Sequence, residues 1–213
     1  MTSNDPAPAL WLASGSPRRR ALLEQAGFVI AGRARPTPAV DEWIGPDESA
    51  HLAAARLARA KFDAALDDPA LPADAVLLAA DTLVAGPAGR PMGKPKDAAD
   101  AEGMLAELAG QWHEIMTAVA IGDRETCRET VVGSRLKLAC LSESDIRAYV
   151  ATGEPLDKAG GYALQGRAGS FVEAIEGDCS AVVGLPLAAT CRLLATFGVR
   201  PAWMDQTWMD QTR

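Results

Sequence analysis

The stretch Leu10-Trp11-Leu12-Ala13-Ser14-Gly15-Ser16-Pro17-Arg18-Arg19-Arg20-Ala21-Leu22-Leu23 changes character twice. A short apolar run stops at Ser14-Gly15-Ser16-Pro17, and a helix-forming segment then continues to Gly27. Ser16 suits an N-cap and Gly27 a C-terminal stop. Pro17 suits the first helical position, where its missing N–H would have no partner anyway. The parse is strand, tight loop, helix, which makes the chain α/β from its first elements. Helix N-termini offer unpaired N–H groups and the positive end of a dipole, so basic residues at Arg18–Arg20 oppose the dipole unless an anion arrives. The turn is either an ordinary cap with a solvated basic first turn or a phosphate cradle built from the two hydroxyls, the flexible Gly15, the helix N-terminus and the guanidinium groups of Ser14-Gly15-Ser16-Pro17-Arg18-Arg19, and the local chemistry favours the cradle.

Outward from this turn, a Pro-rich loop over 34–45 carries Asp41 and Glu42, and helical spacing of Leu52, Ala55, Leu57, Ala58 and Phe62 predicts a long helix over 47–66 bearing Lys61. Val76-Leu77-Leu78-Ala79-Ala80 reads as a fully buried strand that ends at Asp81-Thr82. Gly and Pro then punctuate a hairpin or loop through Pro95, and 97–108 is helical in pattern. Segments 114–122 and 130–141 pair as antiparallel strands about 123–126, and Ser142 caps a helix ending near Gly153. The Gly-rich stretch 157–169 is irregular, 170–175 strand-like and 187–197 a final amphipathic helix. No composition break divides the chain. The expected organisation is an extension over 1–9, a single domain over 10–198 and a tail over 199–213. The tail duplicates Trp203-Met204-Asp205-Gln206-Thr207 as Trp208-Met209-Asp210-Gln211-Thr212, too short a repeat for a solenoid.

At 213 residues, with 48% hydrophobic and 23% charged side chains, the chain can bury a real core without disulfide or metal staples, and neither disorder nor a fibre fits. No apolar run approaches the ~20 residues of a membrane span, and no secretory leader is legible, which points to the cytoplasm. The net charge of −7 gives no global attraction to nucleic acid or to an anionic membrane, so any bound anion must be gripped locally. Cys127, Cys140, Cys179 and Cys191 lack metal-ligand spacing and read as reduced packing residues. His113, beside Trp112, Ile115 and Met116, reads as a partly buried structural residue rather than a general base.

Several side chains could carry chemistry. Asp81 is either a carboxylate at the end of a buried strand, able to hold a divalent ion or deprotonate water, or a cap for the turn that follows. Glu42 and Asp41 are either solvated loop acids or oxygen ligands shared with substrate phosphates, the arrangement Mg²⁺ prefers. Lys94 in Gly93-Lys94-Pro95 is a surface lysine or a point charge toward phosphate. Gln165, in the Gly-rich stretch, faces solvent or reads the imide edge of a planar ring.

Taken together, Leu12-Ala-Ser-Gly-Ser-Pro-Arg-Arg19, Ala80-Asp81-Thr82, Gly93-Lys94-Pro95, Ala159-Gly-Gly-Tyr-Ala-Leu-Gln-Gly166 and Val183-Gly-Leu-Pro-Leu187 resemble the Maf family of nucleoside triphosphate pyrophosphatases, in order, over about residues 10–198. The resemblance implies a two-lobed α/β fold similar to inosine triphosphate pyrophosphatases, with a mixed sheet, flanking helices and a central cleft. It also implies a metal-dependent cytoplasmic enzyme of housecleaning type that uses Mg²⁺ or Mn²⁺ to release a monophosphate and pyrophosphate. By the same resemblance Asp81 is the proton acceptor, Glu42 its acidic partner and fellow metal ligand, and Lys94 the Gly-Lys-Pro lysine. Ser14, Arg19 and Lys61 fall on functional positions, with Ser16 beside them in the phosphate cradle. Arg18, Thr82 and Gln165 match the positions that separate substrate subgroups and are similar to the dTTP/UTP subgroup. The 7-methyl-GTP subgroup has Trp, Gln and Glu there, which suit a cationic purine. Between 34 and 45 the chain resembles the family only at Val40-Asp41-Glu42. The resemblance admits a homodimer. It also admits a rival reading, a non-catalytic nucleotide sensor acting in cell division and septum formation, which would use the same cradle without needing Asp81 as a base.

Overall fold

A computed structural model of the chain describes residues 8–36, 39–45 and 47–204. Most of the expected N-terminal extension and the second copy of the tail repeat lie outside the described residues. The opening stretch folds as parsed: β1 (Leu10–Leu12) leads through the Ser14–Ser16 loop into α1 (Pro17–Gln25), with Pro17 in the first turn. Ser16 occupies the N-cap position, but its side chain makes no capping bond. Two elements follow, the short β2 (Ile30–Gly32) and α2 (Ala50–Leu66), which Ser49 caps by accepting from the Leu52 amide.

The central strand is β3 (Val76–Ala85), and its two faces hold the helices on either side. Leu77, Ala79, Leu83 and Ala85 pack with Ala53, Leu57 and Phe62 of α2. Val76, Leu78 and Ala80 pack with Leu22 and Leu23 of α1 and with Leu194. Burying a side chain such as Phe62, 1% exposed, stabilises the fold by about 1.5–3 kcal/mol. The strand does not end at Asp81-Thr82, as the sequence reading had it. Leu83-Val84-Ala85 continue the apolar pattern and pair with the next long strand, so Asp81 stands in mid-strand.

Beyond β3, β4 (Pro91–Met92) folds back on it as a hairpin, and α3 (Ala98–Leu108) leads to β5 (Trp112–Gly122) and β6 (Cys127–Leu138). Strand β6 starts earlier than expected because the Asp123 carboxylate accepts from the amides of Glu125 and Thr126 and closes a tight turn. Ser142 caps α4 (Glu143–Val150) in a reciprocal box with Asp145. Short 3-10 turns cross the Gly-rich region to β7 (Val172–Glu176). Then come α5 (Cys179–Val183), which the sequence reading did not anticipate, and α6 (Leu187–Thr196). The sheet has seven strands in the order β2-β1-β3-β5-β6-β7, with β4 on β3. Strand β1 runs parallel to its neighbours, and the remaining pairs are antiparallel. A third cluster joins α3 and α4 to the far end of the sheet through Leu105, Leu108, Ile146, Leu136 and Leu138. No helix among the described residues is long and apolar enough to cross a membrane. All four cysteines are unpaired.

One irregularity of this sheet opens a cleft. Strand β1 lies beside only Val76–Leu78, and β4 beside only Val84–Ala85. Between them the edge of β3 has no strand neighbour among the described residues. Successive strand residues face opposite sides, but at this open edge both Asp81 and Thr82 reach one cavity.

Candidate active site

That cavity is a cleft of about 580 Å³. One wall is ionic. The length of α2 carries Lys61 over the face of β3 that bears Asp81, and Lys61 Nζ donates to Asp81 Oδ1 at 2.5 Å and to Glu42 Oε1 at 2.6 Å. From the other side Lys94 Nζ donates to Glu42 Oε2 at 2.9 Å. Burial alone would raise the Glu42 carboxyl, but the hydrogen bonds from Lys61 and Lys94 outweigh it and hold the group down at about 2. Glu42 is therefore ionised at neutral pH and bridges two ammonium groups. Asp41 lies apart, accepting from the Trp43 amide in its own loop at 3.0 Å.

The opposite wall is built from hydroxyls and one guanidinium. Arg19 Nε donates to the Gly184 carbonyl at 2.8 Å, Nη1 to Ser14 Oγ at 3.1 Å and Nη2 to Thr82 Oγ1 at 3.2 Å. Ser14 Oγ also accepts from the Ser16 amide at 3.2 Å, which leaves its own proton to donate. Guanidinium carries five N–H donors, so two of Arg19's remain for a ligand. Burial lowers the Arg19 pKa while the charge of Asp81 raises it, and a guanidinium stays charged throughout the working range. Gly184 has φ +127, a backbone state side chains rarely adopt, and a Cβ there would stand 3.7 Å from both Arg19 Nε and Thr82 Oγ1.

Gln165 and Arg18 also line the cleft. The Gln165 turn closes through the Gly166 amide on the Ala163 carbonyl at 3.0 Å. It is pinned from behind by Glu154, which accepts from Tyr149 Oη at 3.0 Å and from the Arg167 amide at 3.2 Å. A Cβ at Gly166 would collide with the Glu154 carboxylate and displace it from these bonds. Arg18 contributes to holding down the Asp157 carboxyl, behind the larger effect of the Lys158 hydrogen bond. His113 is 2% exposed with Nε2 2.7 Å from Tyr162 Oη, and burial pushes its pKa down to about 4. It is the structural residue the sequence suggested.

Apart from Asp41, the residues singled out from the sequence for catalysis, phosphate binding, specificity or metal all line one cleft: Ser14, Ser16, Arg18, Arg19, Glu42, Lys61, Asp81, Thr82, Lys94 and Gln165. Sequence reasoning missed Thr117, whose hydroxyl lies 3.0 Å from Thr82 Oγ1 and donates to the Ala181 carbonyl at 2.8 Å, and the Gly184 carbonyl that seats Arg19. One available signal was a lone polar residue inside the apolar run of β5.

The donor set on the ionic wall fits a hard divalent cation, because Glu42 and Asp81 already converge on a single positive centre, Lys61 Nζ. Among the described residues no three His, Cys, Asp or Glu side chains gather into a metal cage. A Mg²⁺ site uses one or two carboxylates and takes its other ligands from phosphate and water, so Glu42 and Asp81 are the residues that could hold one.

Fold and cleft together define an α/β protein whose cleft has cationic groups on both walls and carboxylates on one. The chain belongs to the Maf family, whose model, described as Maf-like protein, matches residues 9–197. A relative from Hahella chejuensis named dTTP/UTP pyrophosphatase is 46% identical over 92% of this chain and 95% of its own. Relatives with the same name from Salmonella typhimurium (46% identical, 88% of this chain and 92% of theirs) and Escherichia coli (44%, 89% and 93%) are similar over the same extent.

Proposed function

We propose that this chain hydrolyses nucleoside triphosphates, dTTP and UTP foremost, between the α and β phosphates to release the monophosphate and pyrophosphate. The observation that carries the reading is the facing of two walls across one cleft, Asp81 with Lys61, Glu42 and Lys94 on one and Arg19 with Ser14 on the other. The names of relatives 44–46% identical support the choice of nucleotide.

In this mechanism Lys61 holds Asp81 through Oδ1, so the carboxylate is oriented and its other oxygen is the one presented to water. Asp81 takes the proton as the water oxygen bonds to the α-phosphorus. The bond from the α-phosphorus to the bridging oxygen breaks, and pyrophosphate leaves with the electron pair. Negative charge builds on the leaving oxygens, and phosphoryl chemistry is accelerated mainly by positioning and neutralising that charge. Arg19, Lys94 and the Ser14 hydroxyl supply this from the protein. Glu42 and Asp81 would hold a divalent cation, Mg²⁺ or Mn²⁺, which when bound neutralises charge on the phosphate oxygens. Arg18, Thr82 and Gln165 read the base.

The reading includes a cytoplasmic location, supported by the four unpaired cysteines. It also includes a homodimer, for which Trp43 and Leu52, 67% and 61% exposed, supply apolar surface. The test is pyrophosphate and monophosphate release from dTTP, UTP, CTP, GTP and 7-methyl-GTP with Mg²⁺ or Mn²⁺, wild type beside Asp81→Asn. Release strongest with dTTP or UTP and lost in the variant is expected. Binding without turnover would overturn the enzyme in favour of a nucleotide sensor.

A further inference from the structure

The direction of every hydrogen bond behind Thr82 is determined. Thr117 has one hydroxyl proton, and the Ala181 carbonyl, 2.8 Å away, can only accept it. In the 3.0 Å contact between the two threonines the proton therefore comes from Thr82. Arg19 Nη2, 3.2 Å from Thr82 Oγ1, can only donate, so it occupies one Thr82 lone pair. The chain runs one way, from the Arg19 guanidinium through Thr82 and Thr117 to the carbonyl of α5. Thr82 is left with its proton turned into the protein and one lone pair for the cleft it lines. Thr117 is 0% exposed and sits opposite Thr82 in the β3–β5 register, so it touches no substrate.

We propose that Thr117 is a positioning residue for base selection: by taking the Thr82 proton it makes Thr82 an acceptor toward the cleft, which favours a ring N–H over a ring-nitrogen lone pair. Uracil and thymine present an N–H at the imide position, where cytosine presents a lone pair. The inference rests on the reading that Thr82 faces the base. A buried network whose protons are all committed discriminates strongly, because the wrong partner leaves a polar group unpaired. Without Thr117 the Thr82 hydroxyl is free to rotate and to donate as well as accept.

The experiment measures kcat/KM for UTP and CTP on the same preparations of wild type, Thr117→Val, Thr117→Ala, Thr117→Ser and Thr82→Val. The UTP-to-CTP ratio should fall about five- to tenfold in Thr117→Val, and in Thr117→Ala should the valine variant not fold. Thr117→Ser, which keeps the acceptor, should restore it to within about twofold. The ratio does not depend on the fraction of folded enzyme, so a merely structural role for Thr117 leaves it unmoved. A ratio unchanged in Thr117→Val and Thr117→Ala but lowered in Thr82→Val overturns the proposal and leaves Thr82 as a base reader. A ratio unchanged in Thr82→Val overturns both. Should the wild type turn over neither nucleotide, the pyrophosphatase reading fails. The affinities for UTP and CTP, measured by titration calorimetry on the same proteins, then decide the proposal, and an unchanged affinity ratio in Thr117→Val overturns it.

Discussion

The two walls of the cleft are held together by different physics. On the ionic wall the Glu42 and Lys94 side chains are 43% and 55% exposed, so their pairing is open to water, salt and the oxygens of a ligand. On the hydroxyl wall Thr117 is fully buried, and each proton from Arg19 to the Ala181 carbonyl has one destination. Exposed ion pairs can exchange partners when a polyanion arrives, whereas a buried directional chain can only be kept or broken. The ionic wall therefore suits the moving charge of the reaction and the buried Thr82–Thr117 chain suits recognition, with Arg19 at the head of that chain shared between the two.

The largest expected effect comes from the ionic wall. Asp81→Asn keeps the shape and removes the proposed base, and kcat should drop at least ~10²-fold for every nucleotide. The UTP-to-CTP ratio should stay as in the wild type, and steady-state kinetics on both substrates checks the pair of statements. A lowered ratio would mean that the walls do not divide the work. Arg19→Lys tests the other wall at the guanidinium proposed to meet the phosphates. One ammonium cannot reproduce a fork seated on Gly184, Ser14 and Thr82. We expect kcat/KM to fall about tenfold or more, in keeping with the loss of several charge-assisted hydrogen bonds. A variant within twofold of wild type would show that the fork is packing and not grip.

The same contrast explains what was legible in the sequence. The strand, loop and helix at Leu10–Gln25, the long helix with Lys61, the buried run at Val76–Ala80 and the Ser142 cap all carry their signals locally, as apolar runs, periodicity or capping chemistry. The ionic wall was readable for a related reason, since carboxylates, lysines and a basic helix start announce themselves by residue type. Strand β2 and helix α5, three and five residues long, fall below the length at which a period can be seen. The end of β3 was misplaced because a polar pair reads as a stop, whereas pairing with β5 and a gap between β1 and β4 let Asp81-Thr82 sit in mid-strand at an open edge. Thr117 was invisible because its role depends on strand register, a property of two distant segments. The Gly184 carbonyl has no side chain to betray it.

The smallest effect separates the walls by pH. The Glu42 carboxyl, ordinarily at 4.5, is held at about 2, so the native state keeps it ionised where the unfolded chain begins to take up a proton. Its contribution to stability is complete above about pH 4.5 and is lost as the pH falls toward 2. With the side chain 43% exposed, screening limits that contribution to no more than about 1 kcal/mol. Glu42→Gln should therefore flatten the decline of urea stability between pH 4.5 and 2 by that amount, relative to wild type. Thr117→Val alters no titrating group and should change stability equally at both ends of the range. If Glu42→Gln declines as steeply as the wild type, Lys61 and Lys94 do not hold Glu42 in the free protein. The ionic wall would then assemble only around its ligand, and the contrast between the walls would become one of order before and after binding.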